Sequence, residues 1–167
     1  VVVPIGGGGL ISGISLALKE LKPSAKLIGC EPENVDDTFQ MYKANKRIEM
    51  AHRTSVADGL MAIVGQLTLP IIQENVDDIL LATEKEIIDT TRLVWERMKI
   101  VIEPSCALVL AALIKNKEKF VGQKIVLVIT ASKHRKEAIE SCHFIIDWLK
   151  TKGPFWKYEK TVDKGYW

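Results

Sequence analysis

The chain has 167 residues, 47% hydrophobic and 26% charged, the make-up of an ordinary globular domain with material for one core. Its 23 basic and 21 acidic residues leave a formal charge of +2, too little for whole-chain attraction to nucleic acid or to a membrane. Three scattered cysteines, Cys30, Cys106 and Cys142, offer neither the CxxC spacing of a zinc site nor the even count of a secreted disulfide framework. With no apolar run of about 18 residues and no positively charged flank at VVVPI, the expectation is a cytoplasmic protein without a membrane span or signal peptide.

In chain order, VVVPI at 1–5 reads as a buried strand, LISGISLALKEL at 10–21 as a helix and AKLIGC at 25–30 as a second strand. That is the rhythm of βαβ units building a parallel sheet. VDDILLAT at 76–83 adds a strand, and Thr83 with Glu86 then forms a Thr-x-x-Glu capping box for a helix over 84–99. Ile87, Thr91, Val94 and Met98 share one face of it. A further helix begins at EPSCALVLAAL, where Pro104 suits a first helical position, and KIVLVIT at 124–130 is another buried strand.

From 131 onward the composition changes: three of the four tryptophans lie there, with eight basic and five acidic groups, so this segment alone carries +3. Ala138, Cys142, Ile145 and Leu149 fit one face of a helix that Gly153-Pro154 ends, and FWKYEKT and GYW flank VDK as a hairpin. The expected fold class is α/β, a parallel sheet with flanking helices, ending in a helix and a short β-hairpin. Residues 1–130 and 131–167 are expected to be separate domains.

The sequence between the first strand and the first helix is GGGG. A strand, a glycine run and a helix start leave several backbone N–H groups unpaired, and without Cβ atoms an anion can approach them closely. The spacing is not the dinucleotide fingerprint, because a Gly-x-Gly-x-x-Gly ending at Gly13 would need glycine at Leu10, and no Gly-Lys-Ser/Thr follows to make a Walker loop. A phosphate cradle and a ligand-free tight turn both remain open on spacing alone. The same holds for Glu31, Glu33, Asp36 and Asp37, four carboxylates within seven residues that suit either a hard cation or a solvated loop capping a helix.

VVVPIGGGGLISGIS, CEPENVDD, VADGL, LVWERMK and IEPSCA, in this order and at these intervals, resemble serine racemase and its threonine dehydratase relatives, the fold type II pyridoxal-phosphate enzymes. The resemblance covers roughly residues 1–130. It implies that Gly6, Gly7, Gly8, Gly9 and the amide of Leu10 bind the phosphate of pyridoxal 5'-phosphate, that the substrate is a small amino acid, and that the protein is a homodimer. It also implies a divalent cation, Mg or Ca, on Glu31, the carbonyl of Val35 and Asp37, a nucleotide contact at Lys99, and a cofactor-facing position for Asp58-Gly59 and Glu103.

Two departures follow. The family's Schiff-base lysine lies in a Ser-x-Lys-type segment far upstream of the tetraglycine, and no lysine of this chain sits in a matching context, so the expectation is a fragment that is inactive alone. After the strand at 124–130 the family continues Ser-Gly-Gly-Asn, with its serine at the pyridine nitrogen; here Thr130 stands in that place, followed by Ala131-Ser132-Lys133. The continuation ITASKHRKEAIESCHFIIDWLKTKGPFWKYE resembles instead the C-terminal part of the catalytic, large subunit of molybdopterin synthase. That resemblance implies active-site roles for His134, Arg135, Lys150 and Lys157 and a small-subunit partner that delivers sulfur. A non-catalytic, subunit-interaction role is the remaining alternative.

Overall fold

The computed structural model of the chain describes residues 1–51 and 53–126, together with the strands Glu159–Lys160 and Gly165–Tyr166. Two compact units make up the chain, Val1–Ile129 and Thr130–Trp167. In the first, β1 (Val2–Pro4), β2 (Ile28–Pro32) and β3 (Asp78–Ala82) form a parallel sheet in that order, with Val3 opposite Gly29 and Gly29 opposite Ile79. Five helices surround it: α1 (Gly9–Leu21), α2 (Asp37–Ala44), α3 (Thr68–Asn75), α4 (Glu84–Met98) and α5 (Pro104–Lys115).

Because strand side chains alternate between faces, neighbouring residues enter different cores. Val2, Cys30 and Leu80 pack with Ile87 of α4 and Ala107, Leu108 and Ala111 of α5. Val3 and Ile79 pack with Ile11 of α1, Met41 of α2 and Leu69 and Ile72 of α3. The sheet is thus covered on both faces, which is the arrangement that the apolar strands at 1–5 and 76–83 require. No helix among the described residues is long and apolar enough to cross a membrane.

The strands expected within 1–5, 25–30 and 76–83 and the helices expected at 10–21, 84–99 and from Pro104 are present. The capping box forms as expected, Glu86 N donating to Thr83 Oγ1 at 3.2 Å and Thr83 N to Glu86 Oε2 at 2.8 Å. One detail of that helix differs: Ile87, Thr91 and Val94 are buried, but Met98 is 59% exposed. The reason is that α4 ends there, with Lys99 turning the chain away at φ 58°. Of KIVLVIT, residues 124–126 are described and carry no ladder assignment, although Val2 N donates to the Val126 carbonyl at 3.1 Å. The rest of that strand and the helix expected around 138–149 lie outside the described residues. In the second unit β4 (Glu159–Lys160) pairs antiparallel with β5 (Gly165–Tyr166), inside the span expected for a hairpin.

Candidate functional site

Ile5 makes the last sheet bond of the first strand, its N–H donating to the Cys30 carbonyl at 2.8 Å. The chain then leaves the sheet through Gly6 and Gly7, turns at Gly8 with φ +84°, and enters α1 at Gly9. The first helical amide with an internal partner is Ser12, which donates to the Gly8 carbonyl at 3.1 Å. Among the described residues, the amides of Gly6, Gly7, Gly8, Gly9 and Leu10 donate to no protein acceptor. Unpaired N–H groups at the positive end of a 13-residue helix are an arrangement that can accept an anion.

What surrounds the glycines differs from one to the next. A Cβ on Gly8 would stand 2.7 Å from Thr68 Oγ1, in a left-handed conformation that side chains rarely adopt, and one on Gly6 would stand 3.3 Å from the Leu60 Cα. Among the described residues, a Cβ on Gly9 would meet nothing within 4 Å. The Gly7 carbonyl accepts from Thr68 Oγ1 at 2.8 Å and from Gly65 N at 3.2 Å. Fit to a phosphate monoester is therefore good: unpaired donors, a dipole of the right sign, and room for approach.

The turn Asp58–Leu60 packs against Gly6, and other elements hold it there. Gly59 N donates to Ser105 Oγ at 3.2 Å, from the first turn of α5. Upstream, Ser55 Oγ and Val56 N both donate to the Glu84 carboxylate at 2.7 Å, from the first turn of α4. The backbone of Gly59 and Leu60 is thus held beside Gly6. Glu103 is the exposed N-cap of α5, and Lys99 is exposed at the end of α4. Cys106, in the same turn of α5, is no thiolate nucleophile near neutral pH, because burial, with the Glu103 charge added, pushes its thiol up to about 11.

The acidic residues at 31–37 separate by role. Glu31 is 1% exposed and points into the protein, where its carboxylate accepts from Thr38 N at 3.1 Å and Phe39 N at 2.7 Å and so caps α2. Burial pushes its carboxyl up to about 8; the Asp37 charge adds to the rise, while the Thr38 hydroxyl and the two amides oppose it. Asp37 accepts from Val64 N at 2.9 Å, and burial raises its carboxyl as well. Asp36 faces Arg53 at 2.8 Å, and Glu33 is exposed. Of the four, Glu31 and Asp37 are the buried carboxyl groups, and burial raises both.

Thr130, His134, Arg135, Lys150 and Lys157 lie outside the described residues. Thr68, Gly65, Ser105 and Glu84 are the site's supports that sequence reading missed. Pro70, in the first turn of α3, is the signal that marks a helix start near Thr68.

Comparison with known proteins gives a consistent family. The profile described as pyridoxal-phosphate dependent enzyme matches residues 1–131, and one described as MoaE protein matches residues 118–152. The chain is 42% identical over 134 residues to a serine racemase of Dictyostelium discoideum, and 41% identical over 130 residues to a beta-hydroxyaspartate dehydratase of Paracoccus denitrificans. Each match covers 78% of this chain and 41% of the relative. The structure of maize serine racemase superimposes with a TM-score of 0.72 at 34% identity, over 87% of this chain and 46% of that one. The chain therefore spans less than half the length of these relatives. With residues 1–131 matched, and with the parallel sheet covered by helices on both faces, the chain belongs to the pyridoxal-phosphate dependent enzyme family.

Proposed function

We propose that residues 1–130 carry the phosphate-binding part of a pyridoxal-phosphate-dependent serine racemase or serine/threonine dehydratase, acting on a small amino acid. The observation that carries this reading is the row of five amides from Gly6 to Leu10 at the start of α1, which donate to no acceptor among the described residues. Pyridoxal phosphate, when bound, supplies the electron sink for removal of a proton from an amino acid's α-carbon. This chain's part is to hold the phosphate on those amides and to offer the Thr130 hydroxyl to the ring nitrogen. A divalent cation, Mg or Ca, on Glu31, the Val35 carbonyl and Asp37 belongs to the same reading, as does a nucleotide contact at Lys99. Exposed Trp95, Met98, Ile100 and Val101 suit a homodimer contact, since apolar surface gains by being covered. The names of the relatives support the reaction class.

By itself the chain is expected to bind pyridoxal phosphate weakly and to leave L-serine unchanged. In spectra of the glycine-labelled chain, pyridoxal phosphate and inorganic phosphate should both shift the amides of Gly6 to Gly9. Borohydride reduction should then leave no lysine adduct. Unmoved glycine amides would remove the phosphate seat, whereas a stable adduct with turnover of L-serine would overturn the expected lack of activity.

A second reading is favoured by the MoaE match over 118–152. In it, His134, Arg135, Lys150 and Lys157 serve an anionic pterin and the carboxyl terminus of a molybdopterin synthase small subunit, arginine and histidine holding anions and lysine the incoming carboxylate. Capture of that small subunit by the purified chain is the expected result under this reading, and loss of capture in the Lys157→Ala variant is its control. No capture by the unmodified chain removes it.

A further inference from the structure

We infer that the hydroxyl of Thr68 aims the glycine loop: by fixing the Gly7 carbonyl it turns the Gly8 N–H toward the anion. The inference rests on the phosphate reading of the loop and adds to it a positioning residue from α3. In a trans peptide the C=O and the following N–H point in opposite directions, so whatever holds one sets the other. The Gly7 carbonyl is held by two donors from a single short segment, Thr68 Oγ1 at 2.8 Å and Gly65 N at 3.2 Å. Gly8 N–H is therefore turned away from that segment. Were the peptide flipped, the Gly7 oxygen would face the anion and repel it.

Thr68 also backs the next residue. The position of a Cβ on Gly8 would lie 2.7 Å from its Oγ1 and 2.9 Å from its Cβ, so the same side chain fills the space behind the turn. Its one proton has two carbonyls within reach, Gly7 at 2.8 Å and Gly65 at 3.3 Å, and the shorter contact is the one to the loop. The carbonyl it anchors is 61 residues away in sequence, yet the link is a single hydrogen bond.

The test compares the full chain with Thr68→Val, which keeps the branched shape without the donor, and Thr68→Ser, which keeps the donor. Glycine-labelled protein is titrated with inorganic phosphate and with pyridoxal phosphate, and hydrogen exchange is measured without ligand at the Gly65 amide, which donates to the same Gly7 carbonyl. Thr68→Val should weaken phosphate binding about tenfold and speed Gly65 exchange by a similar factor, while Thr68→Ser should stay within about twofold of the unmodified chain on both readings. A valine variant that binds and exchanges like the unmodified chain overturns the inference, and so does a serine variant that behaves like valine. If phosphate leaves the unmodified chain's glycine amides unmoved, the anion seat itself fails. The Gly65 exchange comparison still decides whether Thr68 pins the peptide.

Discussion

Gly8→Ala is expected to destabilise the Val1–Ile129 unit by roughly 2–4 kcal/mol and to abolish binding of inorganic phosphate, whereas Gly9→Ala should leave stability within about 1 kcal/mol and still abolish binding. The stability difference comes from two costs that meet only at Gly8. Its φ of +84° is open to glycine, and holding alanine there costs roughly 1–2 kcal/mol. The added Cβ would also press on Thr68 Oγ1 at 2.7 Å, Thr68 Cβ at 2.9 Å and Ile72 Cδ1 at 3.0 Å, and overpacking of that kind adds roughly 1–3 kcal/mol. Thr68 is branched at Cβ and cannot swing aside cheaply. At Gly9 there is no positive φ and, among the described residues, nothing within 4 Å, so a methyl costs the fold little and stands in the way of an approaching anion. Urea unfolding followed by the circular dichroism of the helices, and phosphate titration of both variants, check the pair. Equal stability of the two variants would show that the turn is not held as described, and phosphate binding by Gly9→Ala would move the anion off the start of α1.

That pair of expectations depends on contacts of very different visibility. The glycine run and the strand before it are legible because both are local: apolar β-branched residues end at Ile5, and four residues without Cβ begin at Gly6. Helices α4 and α5 are legible for the same reason, one through its Thr83–Glu86 cap and the other through Pro104 at its first position. Helices α2 and α3 are not. Each is eight residues long, and α3 buries only Leu69 and Ile72, too few for a periodic signal. Their ends are fixed from elsewhere in the chain, α2 by the Glu31 carboxylate on its amides and α3 by its packing behind Gly8. Short helices of this kind draw their stability from tertiary contacts more than from propensity.

The acidic run shows the opposite failure, in which nearness in sequence overstates nearness in function. Glu31 ends up inside because it lies on β2, where side chains alternate and its position faces α2; Glu33, two residues on, has left the strand and is exposed. Asp36 is taken up by Arg53 and by Gln40, whose Nε2 lies 3.0 Å and 3.1 Å from the two carboxylate oxygens. Of four carboxylates that composition groups together, the two that the fold buries are Glu31 and Asp37.

The buried Glu31 carboxyl gives the second large effect. In metal-free buffer, the Val1–Ile129 unit should lose stability as pH rises from about 4.5 to about 8. The folded state holds a proton on Glu31 up to about 8, whereas the unfolded chain releases it near the ordinary 4.5. Between those values the folded state binds more protons, so the contribution is complete below 4.5 and is lost as pH passes the folded value. The slope approaches about 1.4 kcal/mol per pH unit, and the whole effect is on the order of a few kcal/mol. Asp37, raised in the same direction by burial, adds to it. Glu31→Gln cannot ionise and should flatten the profile, at the cost of one of the two amide bonds that cap α2. Calcium or magnesium at pH 8 should recover much of the lost stability in the unmodified chain and little in Glu31→Gln, because a divalent cation favours the charged carboxylate that burial opposes. A flat profile in the unmodified chain would mean that Glu31 is not held as a buried acid. A sloping profile that neither cation changes would keep the buried acid and remove the cation from Glu31, Val35 and Asp37.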